Sequence, residues 1–137
     1  MMLGGTTSEK RDSHVTDTIL LTIPTSPAFR GVASLVLGGV GSRLELPFER
    51  VDDLQLAVLS MLDASHGTHA SVEIRAEDGH VAVSVGPLRA GAEDDAGLAL
   101  VLARLTDGVE AARRDRDSWL TVFVARADGV SAGSPPT

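Results

Sequence analysis

Between residues 69 and 86 the chain reads HASVEIRAEDGHVAVSVG, where Val72 and Ile74 alternate with Glu73 and Arg75, and Val81, Val83 and Val85 alternate on return. A period of two puts such residues on one face of a strand. Asp78-Gly79 between the runs supplies a hairpin turn. Just upstream the period changes. In LPFERVDDLQLAVLSMLDAS, residues 46–65, the positions Val51, Leu54, Ala57, Val58, Met61 and Leu62 form one helical stripe, and Glu49, Asp52 and Asp53 sit near the positive N-terminal end.

The flanking segments read in the same way. TDTILLTIP, closed by Pro24, predicts a strand of about six residues. Ser26 as N-cap and Pro27 at the first helical position then open a helix with Phe29, Val32, Ala33, Val36, Leu37 and Val40 at helical spacing. Gly38, Gly39 and Gly41 each weaken a helix interior by up to ~1 kcal/mol, so this helix is expected to fray or stop near Gly41. EDDAGLALVLARLTDGVE predicts a third helix, with Leu98, Val101, Leu102 and Leu105 inward and Gly108 as a stop. SWLTVFVAR predicts a closing strand with Leu120, Val122 and Val124 on one face. The order β, α, α, β, β, α, β implies an α+β two-layer sandwich with helices on one face of a mostly antiparallel sheet. One domain is expected over residues 15–126, between polar tails at 1–14 and 127–137 that show no periodicity.

Composition narrows the chemistry. Aromatics are 3% of 137 residues, so the core must be built from Val, Leu, Ile and Ala. The absence of cysteine removes disulfides, thiolate catalysis and Cys-based zinc sites, and a reducing cytoplasm is the compartment expected. No apolar run approaches the ~20 residues of a membrane span, and the opening MMLGGTTSEKRDSH lacks the apolar core of a secretory signal. A formal charge of −7 repels a phosphate backbone, which argues against a nucleic-acid reader.

Most isolated motifs reduce to ordinary surface features. His66 and His69 in HGTH would need further ligands to hold a metal and read more simply as loop histidines in solvent; no metal site is expected. No GxSxG turn supports a serine hydrolase. GGVGSR at 38–43 lacks the Lys-Ser/Thr ending of a phosphate loop and follows a helix. RRDRDS at 113–118 reads as a solvated turn, and Trp119 as a residue at the core edge.

The element order and three local matches resemble the anti-sigma-factor serine kinases of the GHKL ATPase superfamily, the RsbW-like regulators. DLQLAVLSMLDAS matches a family helix of the form DLxLAVxExxxNA, VEIRAEDGHVAVSVG its hairpin, and AGLALVLARLTDGVE its glycine-started last helix, over about residues 17–126. The resemblance implies a GHKL-like fold, a sigma factor or a STAS-domain anti-anti-sigma factor as partner, and a possible homodimer. It also implies ATP with Mg²⁺ as cofactor wherever the site is intact.

The departures bear on that last point. The family's Glu, which acts on the attacking hydroxyl, falls on Ser60, and its Mg²⁺-binding Asn falls on Ala64, one helical turn apart on one face. No acid stands near Ser84–Gly86, where the family reads adenine, and only ten residues separate Gly86 from Gly97, short for a lid over ATP. Phosphoryl transfer depends on metal placement and charge neutralisation. The expectation is therefore a degenerate site at Ser60, Ala64, Gly86 and Gly97, no catalytic residue, no required cofactor, and a protein that acts by binding. Arg30, early on the first helix, lies in the region through which the resemblance implies partner contact, and a lone surface arginine is the simpler reading of it. An active kinase with a divergent site, and a small structural or ligand-binding domain, remain the alternatives.

Overall fold

The computed structural model describes residues 15–126, so both predicted tails lie outside the described residues. Five strands, β1 (Val15–Pro24), β2 (His69–Glu77), β3 (His80–Leu88), β4 (Gly108–Arg114) and β5 (Asp117–Ala125), form one antiparallel sheet in the order β1-β2-β3-β5-β4. Three helices, α1 (Arg30–Arg43), α2 (Phe48–Asp63) and α3 (Ala96–Leu105), complete the α+β architecture that the hydrophobic pattern predicts. The architecture is that of a GHKL-like two-layer sandwich.

The sheet register shows why one face becomes core. Ile19, Ile74, Val83, Val122 and Val109 stand opposite one another across all five strands, followed by Leu21, Val72, Val85, Leu120 and Ala111. In β1, β2, β3 and β5 these rungs of β-branched and Leu side chains meet the stripe of α2, where Leu54, Ala57, Val58, Met61 and Leu62 are buried, while Val109 and Ala111 of β4 remain exposed. Each fully buried large aliphatic side chain contributes ~1.5–3 kcal/mol relative to exposure. An apolar stripe of this regularity therefore fixes which way α2 faces.

Differences from the sequence reading have local causes. The element order gains β4, which pairs with β5 along its whole length. The sequence pattern stops the third helix at Gly108 and places a solvated turn at 113–118, with no strand between them. The turn is confined to Asp115 and Arg116, both with positive φ, and it closes a hairpin. Helix α3 ends at Leu105, where the Thr106 hydroxyl donates to the Leu102 carbonyl at 2.7 Å, and Val101 is exposed instead of inward.

Helix α1 runs past Gly41 to Arg43 because that glycine is buried against α2. A Cβ at Gly41 would fall 2.6 Å from a Val51 methyl, so only glycine allows the two helices this approach. Ser26 precedes a single 3₁₀ turn, Pro27–Phe29, without a side-chain cap bond. Phe29 and Val32 are exposed, leaving Ala33, Leu37 and Gly41 as the buried positions of α1.

The opposite face of the sheet is roofed by its own polar groups. Ser84, 1% exposed, and Thr121 share a 2.6 Å hydrogen bond at its centre. Arg114 lies over the Trp119 ring at 4.2 Å and reaches Glu73 at 2.9 Å, while Glu77 holds both Arg75 and His80. His80 thus has a carboxylate partner and an edge-on contact with Phe123.

Candidate functional site

The C-terminal half of α2 carries the positions singled out by the family resemblance. Their geometry follows from how the helix ends. The Ser60 hydroxyl donates to the Leu56 carbonyl one turn back, at 2.9 Å, a bond within its own helix. Ala64 caps the helix at 3% exposure, and its carbonyl accepts from the Arg89 amide at 2.8 Å. The His66 amide donates to the Pro87 carbonyl at 2.9 Å, and Ser65 bridges Leu88. Residues 64–66 are therefore laced directly to residues 87–89.

The segment from Gly86 to Gly97 continues this closure. Leu88 and Ala92 are buried. Gly91, at φ +87°, turns the chain into a short 3₁₀ turn, Ala92–Asp94. Asp95 then caps α3: its Oδ1 accepts from the Leu98 amide at 3.1 Å, and its Oδ2 accepts from Arg89 at 2.6 Å. The N-terminus of α3 has an internal anion, and that carboxylate is itself neutralised by an arginine. Gly97 belongs to this cap, since a Cβ there would stand 3.4 Å from Asp95 Oδ1.

Gly86 has a different role again. A Cβ at Gly86 would fall 2.3 Å from the Trp119 ring, so the glycine is the seat on which that indole lies. Trp119 is consequently part of the polar-roofed sheet face. Neighbouring Glu93 accepts from Ser118 Oγ at 2.9 Å, and its pKa lies below the usual 4.5, first through a backbone hydrogen bond and then through Ser118 and Arg113.

Arg30 pairs with Asp63, so it ties the start of α1 to the end of α2. Asp63 is exposed beside the Ala64 position, as its place on the helix implies. His66 and His69 are exposed, and among the described residues no group of three His, Cys, Asp or Glu side chains is arranged to hold a metal ion. No described helix is long and apolar enough to cross a membrane.

The N-terminal half of α2 differs from its end. Here α1 and α2 leave a groove of about 510 Å³ lined by Gly38, Ser42, Leu46, Phe48, Val51, Asp52 and Gln55. Phe48 is 80% exposed at one lip. The Gln55 amide closes the far end by donating to the Ser34 carbonyl at 2.8 Å. Sequence reasoning passed over this groove, although an unburied Phe at a helix start and paired glycines in a helix interior were both visible.

This is an α+β sandwich of GHKL-like architecture in which residues 64–66, at the C-terminal end of the second helix, are joined to residues 87–89, at the end of the hairpin. No family model matches the chain. It is similar to the serine-protein kinase RsbW of Bacillus pumilus (strain SAFR-032), at 37% identity over 71 residues, which is 52% of this chain and 43% of that protein. The matched stretch thus spans less than half the length of this relative.

Proposed function

We propose that this protein is an anti-sigma-factor-like regulator without kinase activity, which acts by occluding a sigma factor or a STAS-type antagonist in the cytoplasm, alone or as a homodimer. The observation that carries the reading is the lacing of residues 64–66 to 87–89. On the family resemblance, this is where a metal and a triphosphate would separate the helix from the loop. The donor set does not fit Mg²⁺-ATP: Ser60 is a hydroxyl engaged with its own helix, Ala64 is a methyl, and Asp95 already occupies the start of α3. The likeness to RsbW supports the regulatory half of the proposal, and partner affinity would come from a few buried anchors.

The test is thermal unfolding with rising ATP and Mg²⁺. A ligand at 100 times its Kd adds ~2.7 kcal/mol, several degrees for a domain of this size. The expected result is no shift, together with capture of a sigma factor or STAS protein from the same cell. A clear shift followed by phosphate transfer to serine of a STAS partner replaces this reading with that of an active kinase.

A further inference from the structure

The groove between α1 and α2 carries features that the fold itself does not use. Leu35 is 77% exposed and Phe48 80% exposed, although both belong to helices whose other faces are well buried. Leu35, Gly38, Gly39 and Ser42 share one side of α1 by helical spacing, opposite Phe48, Val51, Asp52 and Gln55 on α2. Gly41 is explained by its contact with Val51, but a Cβ at Gly39 would have nothing within 4 Å. Internal packing thus leaves Gly39 and the side chains of Leu35 and Phe48 unaccounted for; Phe48 lines the depression, and Leu35 and Gly39 stand on the same side of α1 as its lining residues Gly38 and Ser42.

Charge selects among occupants. Glu45, in the turn between the helices, and Glu49 and Asp52, in the first turns of α2, are exposed, and none of them forms an ion pair among the described residues. The cations on these helices point elsewhere. Arg50 holds Asp53 and Asp107, Arg30 holds Asp63, and Arg43 lines a separate small cavity with Ile19 and Ile74. The groove therefore has small residues along its α1 side and apolar Leu46, Phe48 and Val51 opposite, with the carboxylate of Asp52 in its lining and Glu45 and Glu49 each next in sequence to a lining residue. A third helix packs into such a space through side chains at i, i+3 or i+4 and i+7, and small residues let its backbone approach.

We infer that the α1–α2 groove is a docking site for a basic amphipathic helix of a partner protein, with Leu35 and Phe48 clasping its apolar stripe and Glu45, Glu49 and Asp52 meeting its Lys or Arg residues. This goes beyond the regulatory reading and does not depend on the nucleotide question. An acidic rim also turns away an anionic membrane surface.

The test uses the full chain and a fluorescent Leu/Lys amphipathic peptide of about 14 residues, long enough to hold helical structure on binding, with a Leu/Glu peptide of the same pattern as comparison. The Leu/Lys peptide is expected to bind and the Leu/Glu peptide not to bind. Leu35→Ser with Phe48→Ser is expected to weaken binding about tenfold or more. Glu45→Gln, Glu49→Gln and Asp52→Asn together are expected to weaken it and flatten its salt dependence. The triple variant Asp94→Asn, Glu110→Gln, Asp117→Asn makes the same change in net charge away from the groove and is expected to bind as the parent does.

All of these positions are exposed, so circular dichroism melts are expected to show each variant folded. Absence of binding by the parent overturns the inference, as does equal weakening by the two charge-neutralising triples. Self-association of the parent that Phe48→Ser abolishes also overturns it, because a second copy is then the occupant.

Discussion

The two ends of α2 face opposite situations. At the C-terminal end, Met61, Leu62 and Ala64 are buried and the backbone of residues 64–66 is tied to the end of β3 and to Arg89 just after it. At the N-terminal end, Phe48 projects into solvent beside a groove floored by glycine and serine. One helix thus serves as structural closure at one end and as open surface at the other. Fold resemblance alone would place chemistry at the first end, whereas the side chains place unused binding potential at the second. A site must be argued from its groups, because one architecture carries many functions.

The sharpest way to break this contrast is to hollow the closed end. Met61 is fully buried between α2 and the sheet. Met61→Ala is expected to lose ~2–5 kcal/mol, the transfer term plus the cavity left behind, read as a lower midpoint in urea at an unchanged slope. A loss below 1 kcal/mol would mean that this end of the helix is loosely packed, and the contrast would fail.

A second substitution probes the same end from the functional side. Ala64→Asn introduces the amide of the RsbW-like pattern, but it puts a larger polar group where the exposure is 3% and the carbonyl is already bonded to Arg89. The expected outcome is a destabilisation of ~1–3 kcal/mol from crowding and incomplete hydrogen bonding, with no gain in ATP-dependent melting temperature even when combined with Ser60→Glu. Recovered nucleotide binding in that double variant would show that the closure opens readily, and it would return the active-kinase reading to first place.

The elements that the sequence made legible are those with strong, one-sided burial. The stripe of α2 and the alternation of β2 and β3 were readable because each burial decision is repeated along the element, so one misplaced residue does not hide the period. Strand β4 lacked that redundancy. Its helix-side residues Val109 and Ala111 are exposed, as are most of its others, so GVEAARR carries neither an apolar face nor a clean period. It is a strand because β5 offers it an edge, a tertiary cause that propensity does not record.

The candidate site divides in the same way. The differences from the family pattern at Ser60 and Ala64 are visible as letters. The seam between the end of α2 and residues 87–89 is not, because it depends on pairing between segments more than 20 residues apart. The resemblance puts Gly86 in the family's nucleotide site, yet its local reason is the Trp119 ring laid against it from another strand. The groove needed both helices and their crossing to be seen. Its only sequence traces were Phe48 and the run Gly38-Gly39.

The open end supplies a prediction of the opposite sign. Gly39 is exposed, its conformation is helical, and a Cβ there meets nothing within 4 Å. Gly39→Ala is therefore expected to stabilise the isolated protein by ~0.5–1 kcal/mol, mainly by reducing the freedom of the unfolded chain. Gly41→Ala, against Val51, is expected to destabilise it. If both substitutions stabilise, the close approach of α1 and α2 is not what fixes the groove.

The smallest effect concerns the loop that closes the other end. Glu93 is held below its usual pKa of 4.5 by a backbone hydrogen bond, the Ser118 hydroxyl and Arg113. A depressed carboxyl favours the folded state once it is ionised. Its contribution is therefore fully present above the unfolded value and is lost as pH falls through the lowered folded value. Glu93→Gln is expected to make the acid limb of the stability profile, followed by chemical denaturation between neutral pH and pH well below 4.5, slightly shallower than in the parent. The neutral-pH stability should fall only slightly, because this side chain lies where solvent screens its charge. If the two acid limbs superimpose, Glu93 does not help to hold the 92–95 turn against β5, and the closure rests on the Asp95–Arg89 pair and the backbone seam alone.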